Sequence, residues 1–336
     1  MNTTPTSFQS VLDALVSDKE FPRRYLQEFS DIRPLELKTF LDVWPRVKLS
    51  RKLTLLEELT SLAEVDTLVS FDDFARALLA DPEPEVRTRA IRLLDECEDT
   101  KLVPFYLDML KNDADVNVRA EAAEVLNLFV DLGELEEIPG KIYHQVEDAL
   151  LASAASEDNV RVRRAALESL GYSSRPEVST LIESSFHRED PHWQVSALTA
   201  MGRSADDRWD DEVTRSLVDA DDRVRKAAVQ AAGALSLQSA RPILLKLLGE
   251  EEDENVLSAA IWSLSQIGGE DVRTYLENLL DVVEDDDERI AFLEEALDNL
   301  AFTEDLDRFE LMALDPDELA IDGLEEFENK EEDDEE

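Results

Sequence analysis

An all-α, right-handed solenoid of about seven or eight helix pairs is the fold this sequence predicts. Three observations carry that prediction. The pattern V-R-x-x-A-x-x-x-(L/A) recurs along the chain at a spacing of about 31 residues. Another apolar stretch of helical spacing precedes the copies. Gly (9) and Pro (12) are too few for a turn-rich all-β chain of 336 residues.

The repeat is read directly from the residues. Val86-Arg87-x-x-Ala90 is followed by Leu94, and Val118-Arg119-x-x-Ala122 by Leu126. Val162-Arg163-x-x-Ala166 leads to Leu170, and Val224-Arg225-x-x-Ala228 to Ala232. Weaker copies run Trp193/Ala197/Met201 and Val256/Ala260/Leu264, and degenerate ones begin near Arg51 and Arg289. Positions i, i+4 and i+8 share one helical face, so each copy is an amphipathic helix. The preceding apolar stretches, such as Lys101–Leu110, Val178–Phe186 and Ala240–Leu248, supply the other helix of each pair. One interval, from 118 to 162, is 44 residues long and implies an insertion in Asp131–Gln145, a stretch containing Gly133, Pro139 and Gly140.

In the four best copies an acid stands six residues before the Arg: Asp81/Arg87, Asp113/Arg119, Glu157/Arg163 and Asp219/Arg225. Such an acid can cap the helix that follows and accept from an Arg, so stacked copies are expected to form a ladder. Gln194, Leu257 and Ile290 replace the Arg in the weaker copies. The D-x5-R spacing with V-R-x-x-A-x-x-x-L resembles HEAT repeats, in the short HEAT-like form also found in phycobilisome lyases, over roughly residues 70–300. The resemblance implies a repeat scaffold, and a scaffold does not by itself carry an activity.

One helix pair cannot bury its apolar face alone, so neighbouring repeats must bury it. Residues 1–70 are expected to be an N-terminal helical cap with a divergent first repeat. Residues 71–302 are expected to be the solenoid, with the insertion near 131–145. Residues 303–336 form an acidic tail whose end, Glu331–Glu336, is expected to be disordered.

The chain has 80 acidic and 34 basic residues, a net charge of −46. That charge argues against binding nucleic-acid phosphates. Residues 1–70 carry 11 acids and 9 bases, whereas 303–336 carry 17 acids against Arg308 and Lys330. Within the repeats the acids gather in the turn before the second helix, and these turns are expected to form an acidic ridge. The cap's Arg23/Arg24 and Arg46/Lys48/Arg51/Lys52 are expected to form either a solvated face or a receptor for the acidic tail.

No catalytic, cofactor or metal site is expected. His144, His187 and His192 match no metal motif, and no EF-hand, Walker A or G-x-S-x-G is present. The HEAT-type deoxyhypusine hydroxylases use His-Glu pairs for iron. Here the residues after the histidines are Gln145, Arg188 and Trp193. Cys97, the single cysteine, sits among acids that do not favour a thiolate. No apolar run approaches the roughly 18–20 residues of a membrane span, and Met1–Ser10 resembles no secretion signal, so a cytoplasmic location is expected. Trp209, among Asp206–Asp211, is expected to be exposed and to contact a partner.

The function expected is a non-catalytic protein-binding scaffold or adaptor with a protein partner, for which a basic protein is one candidate, and with neither nucleic acid nor membrane. Its second helices are expected to line the concave face. The alternatives are an acidic chaperone or mimic for a basic client, and a lyase-like enzyme or enzyme partner.

Overall fold

The computed structural model describes residues 7–283 and 286–313, and all its regular elements there are helices. The acidic stretch 314–336 lies outside the described residues. The described residues fall into two compact units, divided between Ser204 and Ala205. This division differs from the expected one, which put boundaries after 70 and 302.

The first unit opens with α1 (Phe8–Val16), a 3-10 turn (Arg23–Phe29), α2 (Pro34–Val43) and α3 (Leu49–Val65). Three helix pairs follow: α4 (Asp72–Leu78) with α5 (Pro84–Arg92), α6 (Val103–Asn112) with α7 (Val116–Val125), and, after the extra helix α8 (Asn127–Glu134), α9 (Gly140–Ala154) with α10 (Val160–Ser169). The pair α11 (Pro176–Phe186) and α12 (Pro191–Arg203) ends it. The second unit holds α13 (Asp210–Ser216) with α14 (Asp222–Ala234), α15 (Arg241–Glu250) with α16 (Glu254–Ile267), and α17 (Glu270–Val282) with α18 (Asp287–Ala313).

The cap is not a separate body. Phe29 packs its ring 5.9 Å from Phe40 and 5.1 Å from Phe74, and Phe40 lies 4.8 Å from Trp44. These aromatics join the 3-10 turn and α2 to the first regular pair. The expected tail boundary also moves. Thr303 donates to Ser265 O at 3.1 Å and Arg273 meets Glu304 at 2.7 Å, so both residues belong to the last helix pair.

Each second helix packs on the next: α5 on α7, α7 on α10, α10 on α12, and separately α14 on α16 and α16 on α18. The repeat residues make those contacts. Val86, Ala90 and Leu94 are buried, as are Val118, Ala122 and Leu126, and Val224, Ala228 and Ala232. In α18 the buried set is Leu293, Ala296 and Leu300, so the register expected from Arg289 is shifted there. Alanine at the centre of each triplet lets neighbouring helices approach closely. Ala122→Leu and Ala228→Leu, both at 0% exposure, should each cost about 1–3 kcal/mol by overpacking, read as a lowered urea midpoint.

The long interval holds the extra helix α8 before α9 begins at Gly140. Phe129, Val130, Leu132 and Gly133 turn one face of α8 into the core. Gly133 is required because a Cβ there would lie 2.1 Å from the Tyr143 ring.

Candidate interaction surface

The turns before the second helices share one construction. In the first, Arg87 Nη1 donates to Asp81 O at 2.8 Å and Pro82 O at 3.2 Å, the carbonyls of its own turn. Its Nε and Nη2 form a two-pronged pair with the carboxylate of Asp113, in the next repeat, at 2.9 and 2.8 Å. Arg119 repeats this with Asp113 O and Ala114 O behind it and the Asp158 carboxylate ahead at 2.8 and 2.6 Å. Arg225 does so with Asp219 O behind and Glu251 ahead at 2.8 and 3.0 Å. The acid six residues before each Arg therefore meets it through the backbone carbonyl. In Asp81 and Asp113 the carboxylate faces the repeat before, toward Lys52 and Arg87.

These carboxylates also hold their own turns. Asp81, Asp113 and Asp219 accept from the amides of Glu83, Asp115 and Asp221 at 2.8–2.9 Å. The residue two places on then caps the helix: Asp115, Asp221 and Asp253 accept first-turn amides, as do Asn159 and Asp190 in their repeats. Fixed Asx turns and charged N-caps are why acids concentrate here.

Three expected positions need correction. Glu157 does not form the rung; it is exposed, and Asp158 takes its place. Asp158 adjoins the cap residue and accepts from Asn159 N at 2.6 Å, which sets its short side chain in front of Arg119. Arg163 makes no such pair. Its Nε reaches Ala154 O at 3.3 Å and its guanidinium lies 5.4 Å from the Trp193 ring, with Arg188 on the same ring at 4.0 Å. Arg188 occupies the place of the next acid, and two cations cannot form a rung, so both stack on one indole. Trp209 is buried, at 6% exposure, and is no exposed contact. It ends a 3-10 turn whose Asp206 accepts from Arg208 N at 3.0 Å, and the indole, the one large apolar group in that acidic stretch, turns into the core.

The structure adds one rung that the pattern did not name. Lys52 of α3 stands where the Arg stands, and its Nζ lies 3.3 Å from the Asp81 carboxylate. Trp44 Nε1 donates to the same oxygen at 2.6 Å, and the Lys52 ammonium sits 4.6 Å from the indole. Lys48 pairs with Asp18 at 2.5 Å and Arg51 donates to Lys19 O, so with Lys52 three of the six cations named above are already engaged. Arg23, Arg24 and Arg46 are exposed.

The bidentate arginines hold the Asp158 and Glu251 carboxyls below the ordinary 3.8 and 4.5. The sign follows. A depressed carboxyl stabilises the fold above its unfolded value, and that contribution is lost as pH falls through the folded one. The stability lost in Arg119→Gln should hold constant from about pH 8 to about pH 5 and shrink below about pH 4, in urea titrations across pH.

Outside this inner row, Glu85, Glu157, Asp222, Glu252 and Glu254 are exposed. On the second-helix face of the first unit, Arg92 pairs with Glu121 at 2.8 Å and Arg203 donates to Glu168 O at 2.8 Å. Desolvation within that face, and then Glu121 and Glu168, push the Glu124 carboxyl up, although the residue remains open to water. Burial likewise pushes the Cys97 thiol up, with Asp72 3.2 Å away. Among the described residues no group of three or more His, Cys, Asp or Glu is arranged to hold a metal, and no helix is long and apolar enough to cross a membrane.

Comparison with solved structures returns other helical repeat proteins. The CpcE–CpcF complex of a phycocyanin lyase from Nostoc sp. is 17% identical with a TM-score of 0.49, covering 89% of this chain and 97% of that one. YibA of Escherichia coli is 16% identical at a TM-score of 0.42, covering 85% and 99%. Kap121p bound to Pho4p is 17% identical at 0.45, covering 88% of this chain and 37% of that one. A search of curated proteins found no match. The family model for HEAT repeats matches residues 72–139, 147–231 and 211–298, the segments whose paired helices and turns are described above. This protein belongs to the HEAT-repeat family.

Proposed function

We propose that this chain is a non-catalytic scaffold that binds a protein partner with a basic surface through the acidic turns of its repeats. The observation that supports this is the division of the turn acids. One set, Asp81, Asp113, Asp158 and Glu251, is committed to Lys or Arg of the neighbouring repeat. The other set, Glu85, Glu157, Asp222, Glu252 and Glu254, adds nothing to those rungs and faces solvent. A net charge of −46 costs self-repulsion in the folded state, and binding a cationic surface relieves it. Burial pushes the Cys97 thiol up, and His144 Nδ1 lies 3.0 Å from Glu147.

The test is affinity capture from host extract on the full chain, eluted by a salt gradient. The comparison is a variant with Glu85→Gln, Glu157→Gln, Asp222→Asn, Glu252→Gln and Glu254→Gln. A partner that elutes at modest salt and is lost from the variant supports the reading. A partner indifferent to both salt and the five substitutions overturns it.

A further inference from the structure

The first unit carries an open groove at the lengthened repeat. It lies between α6 and α9 and encloses about 580 Å³. Leu107 and Leu110, nearly one turn apart on α6, form one wall. Ala149 and Ala152, at the same spacing on α9, form the other. Ser153 and Ser156 continue that face of α9 and its following turn, so no large side chain fills the space between the helices. Ala152 is exposed and Leu107 is only half-buried, so the apolar floor is open to solvent. The rim is unequal in charge: Asp148, Glu157 and Asp158 stand against the single cation Lys111. Asp148 is shared with Arg175 at 2.7 Å and Asp158 with Arg119, which leaves Glu157, exposed, facing outward from the end of the groove.

We propose that this groove binds a short amphipathic helix with a basic polar face, supplied by the partner protein. The inference rests on the scaffold reading above and names the element that the scaffold takes. The groove's walls are two helical turns with apolar residues three apart, which a third helix fills by ridge-into-groove packing. An inserted Leu or Ile finds the Leu107–Ala152 floor. Lys or Arg one turn away meets Glu157, the rim carboxylate that neither Arg175 nor Arg119 takes. A helix with an acidic polar face is repelled by the same rim.

The probe is a synthetic 18-residue peptide of Leu and Lys with one apolar helical face. It is compared with a shuffled peptide of the same composition and with the Leu/Glu counterpart. Binding is measured by titration, and its place by hydrogen exchange of α6 and α9. The amphipathic Leu/Lys peptide should slow exchange in both helices and bind at least about tenfold more tightly than either control. Ala152→Trp fills an exposed position of the groove and should weaken it about tenfold. Glu157→Lys, at an exposed rim site, should weaken it in the same direction without touching the floor. Equal binding of the shuffled peptide, or binding unchanged by Ala152→Trp and Glu157→Lys, overturns the groove. If that equal binding is lost in the five-residue neutral variant, the acidic-turn reading stands alone. If no Lys peptide binds at all, both fall.

Discussion

Asp81→Ala should destabilise the first unit by about 3–5 kcal/mol, the largest effect of any single polar substitution considered. Asp81 is the acid of the first rung, and its side chain is 2% exposed against 7% for Lys52. Its Oδ2 accepts from Trp44 Nε1 and Lys52 Nζ, and its Oδ1 accepts from Glu83 N. Removing the carboxylate strands a buried ammonium and an indole N–H beside the Phe29–Phe40–Phe74 cluster and releases the turn before α5. The cost is mainly that of the charge left unpaired, not the worth of the pair. Pairing Asp81→Asn with Lys52→Met should therefore recover most of the loss, since Asn still accepts from Trp44 and no cation remains. Urea unfolding followed by tryptophan fluorescence checks this. A double variant as unstable as Asp81→Ala would show that the pair itself carries the energy.

Glu147→Ala should cost about 1–3 kcal/mol, chiefly from the buried Ser173 hydroxyl, which loses its acceptor. Glu147 is 0% exposed and accepts from Tyr143 Oη at 2.9 Å and Ser173 Oγ at 2.6 Å. Glu134 of α8 meets the same Tyr143 hydroxyl at 2.5 Å and accepts from Ser174 N at 2.6 Å. Burial, and then the two carboxylates, push the phenol well above its ordinary value, so it stays protonated and donates. This knot ties the inserted α8 and α9 to the turn that leads into α11. Glu147→Gln keeps an oxygen at the same reach and should restore more than half of the loss. Ser173→Ala added to Glu147→Ala should cost less than the sum of the two.

Much of this was legible in the sequence, and the gaps have physical reasons. The i, i+4, i+8 triplets identified the second helices because close helix packing demands small and branched apolar residues at those positions. Spacing found Asp81, Asp113, Arg87, Arg119 and Arg225 but missed Asp158 and Glu251, and spacing within a repeat cannot say whether carboxylate or carbonyl meets the Arg. The turn decides that by pointing the carbonyl at its own helix. Lys52 was readable as a rung, since it stands one place after Arg51, where the repeat puts its cation. The break at Arg163 was readable too, because Arg188 lies six residues before Gln194. Trp209 misled because its acidic neighbours suggested exposure, while a 3-10 turn sends only about one residue in three inward. The long interval marked an insertion but not its conformation: Gly133 is a helical residue whose missing Cβ makes room for Tyr143.

The central claim is that the turn acids divide into an inner set that ties repeats together and an outer set that faces a partner. The most direct measurement compares the melting temperatures of two variants of the full chain at low salt. One carries Asp113→Asn and Asp158→Asn; the other carries the five outer substitutions. The inner variant should melt several degrees below wild type, as loss of about 1–3 kcal/mol implies, and the outer variant at or above it, because repulsion is relieved. An outer variant that melts well below wild type, or an inner variant that melts unchanged, would contradict the division.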